Sequence, residues 1–166
     1  MKLKLVNIII MNDKDDSEYI VGRYIMYKEQ GQEEILKAMG YNYPSRMSIM
    51  NATRYLQMKK FGEYWQMTEC YRSVVVKMSC SLTFRSGKKF SWTASNGSKM
   101  KSLITKVGKR RFEFRHEPID LQQEYKTLLG KVEFLENGEM VTKIKLEEVD
   151  GLEAVFQFRK YDLNSI

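Results

Sequence analysis

The chain has 166 residues, of which 43% are hydrophobic and 12% aromatic, and it carries a formal net charge of +7. This composition excludes an intrinsically disordered chain, and the length is that of one domain with a full hydrophobic core. Because there are only two prolines and ten glycines, no linker rich in these residues can be drawn. We therefore expect a single domain spanning residues 1–166.

The positive charge is concentrated in one segment, residues 85–115. This segment contains ten basic residues and one acid, a net charge of +9, whereas the rest of the chain contains 18 bases and 20 acids, a net charge of −2. A segment of this kind favours a polyanionic partner: nucleic acid, an anionic membrane or an acidic protein. The alternative is a solvated face that only keeps the protein soluble. The ten basic residues are Arg85, Lys88, Lys89, Lys99, Lys101, Lys106, Lys109, Arg110, Arg111 and Arg115.

The N-terminal third is predicted to contain a hairpin and then helices. An apolar run over residues 2–11 is interpreted as a buried first strand, because a polar residue interrupts it and no small-residue cleavage site follows. Residues 19–27 form the predicted second strand, paired with the first. Helices are predicted over residues 31–40 and 45–63. Residues 31–67 are therefore expected to form a helical region that packs against a sheet.

A cluster of aromatic residues and methionine lies at the end of this helical region. Such a cluster belongs either to the core or to an oligomer interface, where methionine and aromatic residues are enriched. The cluster is therefore a candidate surface for self-association, and a homo-oligomer is one expected state. Its members are Tyr55, Met58, Phe61, Tyr64 and Trp65.

Two strands follow with a clear period of two. Every even-numbered residue from Val74 to Phe84 is apolar, and residues 90–94 continue the same face after a short turn. This alternation predicts two half-buried strands. A hairpin would place Phe84 opposite Phe90.

The next two elements complete a basic unit over residues 71–116. Apolar residues within 100–107 have the i, i+3, i+4, i+7 spacing of a short helix, which Gly108 would end. Residues 111–116 alternate again and predict a strand. The unit is thus strand, strand, helix, strand.

The C-terminal third is predicted to be a helix followed by a three-stranded meander, residues 131–161. The helix opens at Pro118 and ends at Gly130. Asn137-Gly138 and Asp150-Gly151 are the dipeptides expected in two-residue hairpin turns of type I′. The predicted strands are residues 131–136, 140–149 and 152–161.

These elements predict an α+β fold. A mainly antiparallel sheet would contain the N-terminal hairpin, the central hairpin and the C-terminal meander, accompanied by three to four helices. Strand–helix–strand alternation is not regular enough for a doubly wound parallel sheet.

Residues capable of chemistry are few. Cys70 and Cys80 do not form a CxxC pair, so we expect reduced, structural thiols in a reducing compartment. His116 is the only histidine; it is either a general acid or base, or an ordinary polar residue at a strand end. With one histidine, no zinc site is predicted, and no phosphate-binding loop is present. We expect no metal, no cofactor and no catalytic activity.

The sequence thus favours a non-enzymatic, nucleic-acid-binding accessory protein, viral or phage in origin, that contacts the phosphates of RNA or DNA through residues 85–115. The alternative is a matrix- or adaptor-type viral protein that self-associates and binds an anionic membrane or an acidic nucleoprotein. Neither hypothesis includes a small-molecule substrate. The expected location is cytoplasmic, or the nucleus of a host cell, with no secretion and no transmembrane segment.

Overall fold

The computed structural model describes residues 17–94, 97–120 and 126–162. The helices of these ranges are α1 (Ser17–Ile20), α2 (Gln32–Ala38) and α3 (Tyr43–Met50). The strands are β1 (Gly22–Gln30), β2 (Thr53–Phe61), β3 (Tyr64–Arg72), β4 (Lys77–Arg85), β5 (Lys89–Thr93), β6 (Lys99–Lys106), β7 (Arg111–Pro118), β8 (Leu128–Phe134), β9 (Glu139–Leu146) and β10 (Glu153–Lys160).

The ten strands form one antiparallel sheet that curls into a nearly closed barrel. Their order is β4-β3-β2-β1-β10-β9-β8-β7-β6-β5, so the first long strand pairs with the last. Within the described residues no backbone ladder joins the two outer strands, β4 and β5. The gap is bridged instead by stacked rings of Phe84 and Phe90, whose centroids lie 6.2 Å apart.

Side chains alternate between the barrel interior and solvent, as the pleat of a strand requires. On β2, for example, Arg54, Leu56 and Met58 are all buried, while the residues between them are more exposed. The interior is therefore built from every second residue of all ten strands.

One end of the barrel interior, here called the closed end, is filled by aromatic rings. Phe112 makes edge-to-face contacts with Trp65, Phe84 and Phe134, at centroid distances of 5.2, 5.9 and 6.2 Å. Tyr24 continues the series to Phe134 at 5.6 Å. Such pairs contribute about 0.5–1.5 kcal/mol each beyond their burial. Helix α1 lies at this end and contacts β2.

The opposite end, here called the cap end, is covered by α2 and α3, which connect β1 to β2. The Asn42 side chain accepts a hydrogen bond from the backbone N–H of Ser45 and so caps α3. Ile35 of α2 is buried and belongs to the core, whereas α3 has no buried residue. None of the described helices is long and apolar enough to cross a membrane.

The predicted α+β fold is wrong, and two of the predicted helices account for the error. The helix predicted over residues 45–63 is helix only at its start, in α3, and about half of it is strand β2; the helix predicted over residues 100–107 is strand β6. In both cases backbone pairing with two neighbouring strands outweighs the local apolar spacing. The central hairpin is wrong in part as well, because the Phe84 and Phe90 rings meet without a backbone ladder between their strands.

Other elements are confirmed. Helix α2 lies within predicted residues 31–40, and strands β4, β5 and β7 lie close to their predicted positions. The C-terminal meander is confirmed as β8, β9 and β10. Neither predicted turn is type I′, because only the glycines, Gly138 and Gly151, have a positive φ, of 84° and 73°. A three-residue loop closes the first hairpin, and a longer loop joins Leu146 to Glu153 in the second.

Two predicted elements fall at least partly outside the described residues. The predicted strand over residues 2–11 lies entirely outside them, and so does its predicted pairing with residues 19–27. Among the described residues, β1 pairs with β2 and β10. The helix from Pro118 to Gly130 includes the undescribed residues 121–125. Its last residues, Leu128 to Gly130, are strand.

Candidate ligand-binding cavity

A cavity of about 260 Å³ lies inside the barrel beneath the cap. Helices α2 and α3 supply its roof through Ile35, Met39 and Ile49, and its walls come from the inward residues of the strands. One water needs only about 10–15 Å³ of such volume. The cavity is therefore large enough for a small organic molecule. The apolar wall residues are Leu56, Met67, Met78, Leu82, Trp92, Met100, Phe114, Leu128, Val132, Ile144 and Phe156.

An ion pair lies in this wall at the cap end. Arg54 on β2 is 7% exposed, and its Nε donates a hydrogen bond to Oε1 of Glu69 on β3. The Tyr71 hydroxyl donates a long hydrogen bond, 3.4 Å, to the same carboxylate oxygen. The guanidinium also lies over the rings of Phe156 and Tyr71, 4.4 and 5.3 Å from their centroids. Aromatic faces and one carboxylate thus surround a single buried cation.

Burial and charge oppose each other at Arg54. Burial is the largest single influence and lowers the pKa of the guanidinium, but Glu69 and Tyr71 together raise it by more, so the pKa lies above its ordinary value. Burial also raises the pKa of the Tyr71 hydroxyl, which stays protonated. Replacing one partner of a buried pair strands the other charge and costs about 3–5 kcal/mol.

A second polar group joins Trp92, Ser102 and His116 on three adjacent strands. Trp92 Nε1 donates to Ser102 Oγ at 2.7 Å, and Ser102 Oγ lies 2.6 Å from His116 Nδ1. An indole N–H can only donate, so the serine oxygen is the acceptor there. The buried serine proton then has Nδ1 as its acceptor, which places the imidazole proton on Nε2.

His116 is neutral under ordinary conditions. Its side chain is buried against the rings of Phe114 and Trp92, with centroid distances of 4.7 and 5.7 Å. Burial lowers the pKa of His116 from 6.5 to about 4. The histidine thus lines the cavity as an uncharged hydrogen-bond donor rather than as a cation.

One hydroxyl in the cavity wall has an unused hydrogen-bonding capacity. Thr142 on β9 is 6% exposed, and its Oγ1 is buried without a hydrogen-bond partner in the part of the chain that the structure describes. A buried hydroxyl left in this condition costs about 1–3 kcal/mol. It lies beside Phe156, to which Thr142 is paired across the β9–β10 ladder.

No protein-family model matches the sequence, and no curated protein matches it. Solved structures do match. Lipid binding protein 8 of Caenorhabditis elegans superposes with a TM-score of 0.73 at 19% identity, over 87% of this chain and 96% of that chain. A Schistosoma mansoni fatty acid binding protein, in complex with arachidonic acid, superposes with a TM-score of 0.67 at 18% identity, over 87% and 97%. Fatty-acid-binding protein 1 of Echinococcus granulosus gives 0.67 at 22% identity, over 87% and 99%.

The chain has the fatty-acid-binding-protein fold. The prediction of a nucleic-acid-binding or matrix-type viral protein is wrong, and so is the prediction that no small molecule is involved. The nucleic-acid prediction rested on one charged surface segment, and the matrix-type alternative added the aromatic and methionine cluster. The fold that overturns them is a barrel around an internal apolar cavity, and the matched structures are lipid-binding proteins.

The structure divides eight of the ten basic residues between two places. The turn with Arg85, Lys88 and Lys89 and the turn with Lys109 and Arg110 meet at the closed end, far along the strands from the cap. The first turn is joined to the end of β6, which leads into the second turn, by a hydrogen bond from the Gly87 N–H to the Ile104 carbonyl and one from the Lys106 N–H to Ser86 Oγ. Lys99, Lys101 and Arg115 lie on the outer face of β6 and β7.

At least four of these ten residues pair with carboxylates of the described part of the chain, which reduces the field that a polyanion would meet. Arg85 bonds Glu63 at 3.0 Å, Arg110 bonds Glu136 at 2.7 Å, Arg111 lies 3.5 Å from Glu113, and Arg115 makes a two-pronged contact with Glu147. Glu113 is on the same strand as Arg111, but the other three acids come from other turns and strands, so a count of charge along the sequence could not show those three pairings. The hydrogen bonds from Arg115 also lower the pKa of Glu147.

The predicted interface cluster is divided between the interior and the surface. Met58 and Trp65 are 3% and 4% exposed and face the barrel interior. Phe61 and Tyr64 flank the β2–β3 turn and are 56% and 51% exposed, while Tyr55 is half-buried on the outer face of β2. Self-association through the exposed pair stays a prediction.

Both cysteines are free thiols, and Cys80 lines the cavity. Burial raises the pKa of the Cys80 thiol, which favours its protonated form. The predicted site residues did not include Arg54, Glu69, Tyr71 or Thr142. Once β2 and β3 are recognised as paired strands, the even-numbered residues of β2 and the odd-numbered residues of β3 face inward. This parity identifies Arg54, Glu69 and Tyr71 as inward-facing.

Proposed function

We propose that this protein binds one apolar, lipid-like small molecule inside its barrel. The observation that carries the proposal is the cavity beneath the cap, which is enclosed by two helices and the inward side chains of the strands. Its wall is mostly aliphatic, aromatic and methionine side chains, with a few polar groups at defined places. That combination is typical of small-molecule sites.

The volume sets the size of the expected ligand. At roughly 30 Å³ per water-sized group, the cavity accommodates on the order of nine such groups. Each buried methylene contributes about 0.8 kcal/mol, and association itself costs several kcal/mol. A ligand of about ten carbons gains about 8 kcal/mol from burial, and after the cost of association its Kd is expected between the micromolar and millimolar ranges.

The cap is the proposed entrance. Helix α3 has no buried residue, and the part of α2 that is buried consists of Gln32 and Ile35. Elements with few buried apolar contacts open at lower free energy than the core. Opening of the two helices would expose the cavity without disturbing the ladders of the barrel.

The comparisons support the same class of ligand. The matched structures are described as fatty acid binding or lipid binding proteins, and one of them holds arachidonic acid. We propose binding without catalysis, since Ser102, which bonds His116, is 1% exposed and does not line the cavity. An intracellular location remains part of the proposal, and cell fractionation tests it.

A fluorescence titration tests this function. N-phenyl-1-naphthylamine is uncharged and brightens in apolar surroundings, so saturable binding of one molecule per chain is expected. Absence of saturable binding would contradict the proposal.

Two neighbouring substitutions on β4 provide a matched control. Cys80 faces the cavity, whereas Ser81 is exposed on the outer face of the same strand. Cys80→Trp should weaken binding of the fluorophore at least about tenfold by filling the cavity, and Ser81→Trp should leave it unchanged. Circular dichroism melts verify that both variants are folded; equal affinities for the fluorophore would place its site elsewhere.

A further inference from the structure

The cavity differs from a site for an anion in the state of its charged groups. Arg54 is its deeply buried cation, and it is already neutralised by the Glu69 carboxylate. A ligand carboxylate that approached Arg54 would also approach Glu69, and would have to displace it from the guanidinium. The Arg54–Glu69 pair thus presents no net charge to a ligand.

Apart from Lys126 at the rim, the remaining polar side chains of the described wall are uncharged. Tyr71 is a phenol, and His116 is a neutral imidazole whose Nδ1 is occupied by Ser102, which leaves Nε2–H as a donor. Thr142 Oγ1 has no partner among the described residues and can both donate and accept. A ligand hydroxyl or carbonyl could satisfy such groups without bringing a charge into the barrel.

We propose, on the basis of the proposed function, that the cavity selects an uncharged amphiphile, a medium-chain alcohol or carbonyl compound whose oxygen hydrogen-bonds to Thr142, over the fatty-acid anion of the same length. Glu69 acts as the selectivity residue: its carboxylate occupies the guanidinium that would otherwise attract an anion. Thr142 is the residue that meets the ligand oxygen.

One other cation borders the cavity and defines the rival outcome. Lys126 lies at the start of the segment leading into β8 and is half-buried. An ammonium close to water gains little from pairing with a carboxylate. If a fatty acid were nevertheless bound with its head at Lys126, Lys126→Gln would remove that binding.

The test is displacement of N-phenyl-1-naphthylamine by 1-decanol, by decanoate and by naphthalene at pH 7.5. The wild-type protein is expected to bind 1-decanol at least about tenfold more tightly than decanoate, because the anion loses its hydration without gaining a free cation. Equal binding, or tighter binding of decanoate, overturns the proposal. Failure of all three to bind would instead overturn the proposed function.

Substitution of Glu69 tests the origin of the selectivity. Glu69→Gln leaves Arg54 without its counter-charge, so decanoate binding should improve by about tenfold or more while 1-decanol changes little. The double variant Arg54→Gln/Glu69→Gln removes both charges and should again prefer 1-decanol. If folded Glu69→Gln shows the same ratio of 1-decanol to decanoate affinity as the wild type, the role of Glu69 is overturned. If Glu69→Gln does not fold, the double variant is the test. Loss of the double variant's preference for 1-decanol would then overturn the role of Glu69.

Substitution of Thr142 distinguishes a ligand contact from a structural role. Thr142→Val keeps the shape and removes the hydroxyl, so it should weaken 1-decanol roughly five- to tenfold. Naphthalene, which makes no hydrogen bond, should bind as before. The free protein should melt at the same temperature or higher, because no internal hydrogen bond of Thr142 is lost. Equal weakening of both ligands would overturn the contact.

Discussion

The two ends of the barrel interior are built by the same alternation of side chains and yet differ in content. At the closed end, rings from Tyr24, Trp65, Phe112 and Phe134 contact one another and leave no space for a ligand. At the cap end, the same strands contribute polar residues and methionines around a cavity. One half of the interior stabilises the fold, and the other half is available for binding.

The largest expected difference between the two ends is the cost of truncating a ring. Phe134→Ala at the closed end should lower the free energy of unfolding by about 4 kcal/mol, because it opens a void among packed rings. Phe114→Ala at the cap end should cost clearly less, since its ring already borders empty space. Urea denaturation measures both. Equal losses would contradict the division of the interior.

The next largest effect is a loss of stability on acidification that originates at the cap end. Because the pKa of His116 falls from 6.5 to about 4 on folding, the unfolded chain binds a proton in this window before the native chain does. The resulting loss in the free energy of unfolding is absent above pH 6.5 and grows as the pH falls, reaching about 3 kcal/mol near pH 4. The measurement is urea denaturation between pH 7 and pH 4, in the wild type and in His116→Gln.

The glutamine variant retains an oxygen that can accept the hydrogen bond from Ser102, so it serves as the control for folding. Carboxylates titrate in both proteins, and only the difference between their stability curves reports on the histidine. Two parallel curves would show that His116 is not a buried neutral imidazole.

A smaller effect on stability is expected at Gly130, against which the Phe114 ring of the cavity wall packs. A Cβ at this position would lie 2.3 Å from Phe114 Cζ and 2.6 Å from the Lys143 carbonyl oxygen. Gly130→Ala should therefore cost about 2 kcal/mol through overpacking. Adding Phe114→Leu should recover part of this loss, which thermal denaturation of the single and double variants would show; no recovery would mean that the Lys143 backbone alone sets the limit.

The smallest effect is expected outside the barrel. Phe61→Ser, at the exposed β2–β3 turn, should change the free energy of unfolding by less than about 0.5 kcal/mol. Sedimentation of the wild type and of Phe61→Ser also tests self-association through this turn. A dimer that dissociates in the variant would confirm the interface prediction, whereas an unchanged monomer would remove it.

The strands that the sequence predicts well are those whose inward residues are mostly apolar, such as β4 and the C-terminal meander. The two strands mistaken for helices carry polar residues inside the barrel: Arg54 on β2 and Ser102 on β6. Each inward polar residue interrupts the period of two that identifies a strand. The local rule therefore fails at the candidate site itself, which is where such failures are expected.

The partners of these residues explain why the site could not be predicted. Arg54 requires Glu69 on the neighbouring strand, and Ser102 requires Trp92 and His116 from strands on either side. A single sequence shows none of these pairings until the strand register is known. The charge of residues 85–115 was visible, but its pairing with Glu63, Glu136 and Glu147 was not.

The methionine methyl groups offer the most direct test of a ligand site at the cap end, because they occur in both halves of the interior. Met39, Met67, Met78 and Met100 line the cavity, whereas Met58 and Met140 are buried outside its wall. In spectra of protein labelled with carbon-13 at the methionine methyls, titration with 1-decanol should shift the first four resonances and leave Met58 and Met140 in place. Shifts at Met58 and Met140 without shifts in the cavity wall, or no shifts at saturating ligand, would contradict the account.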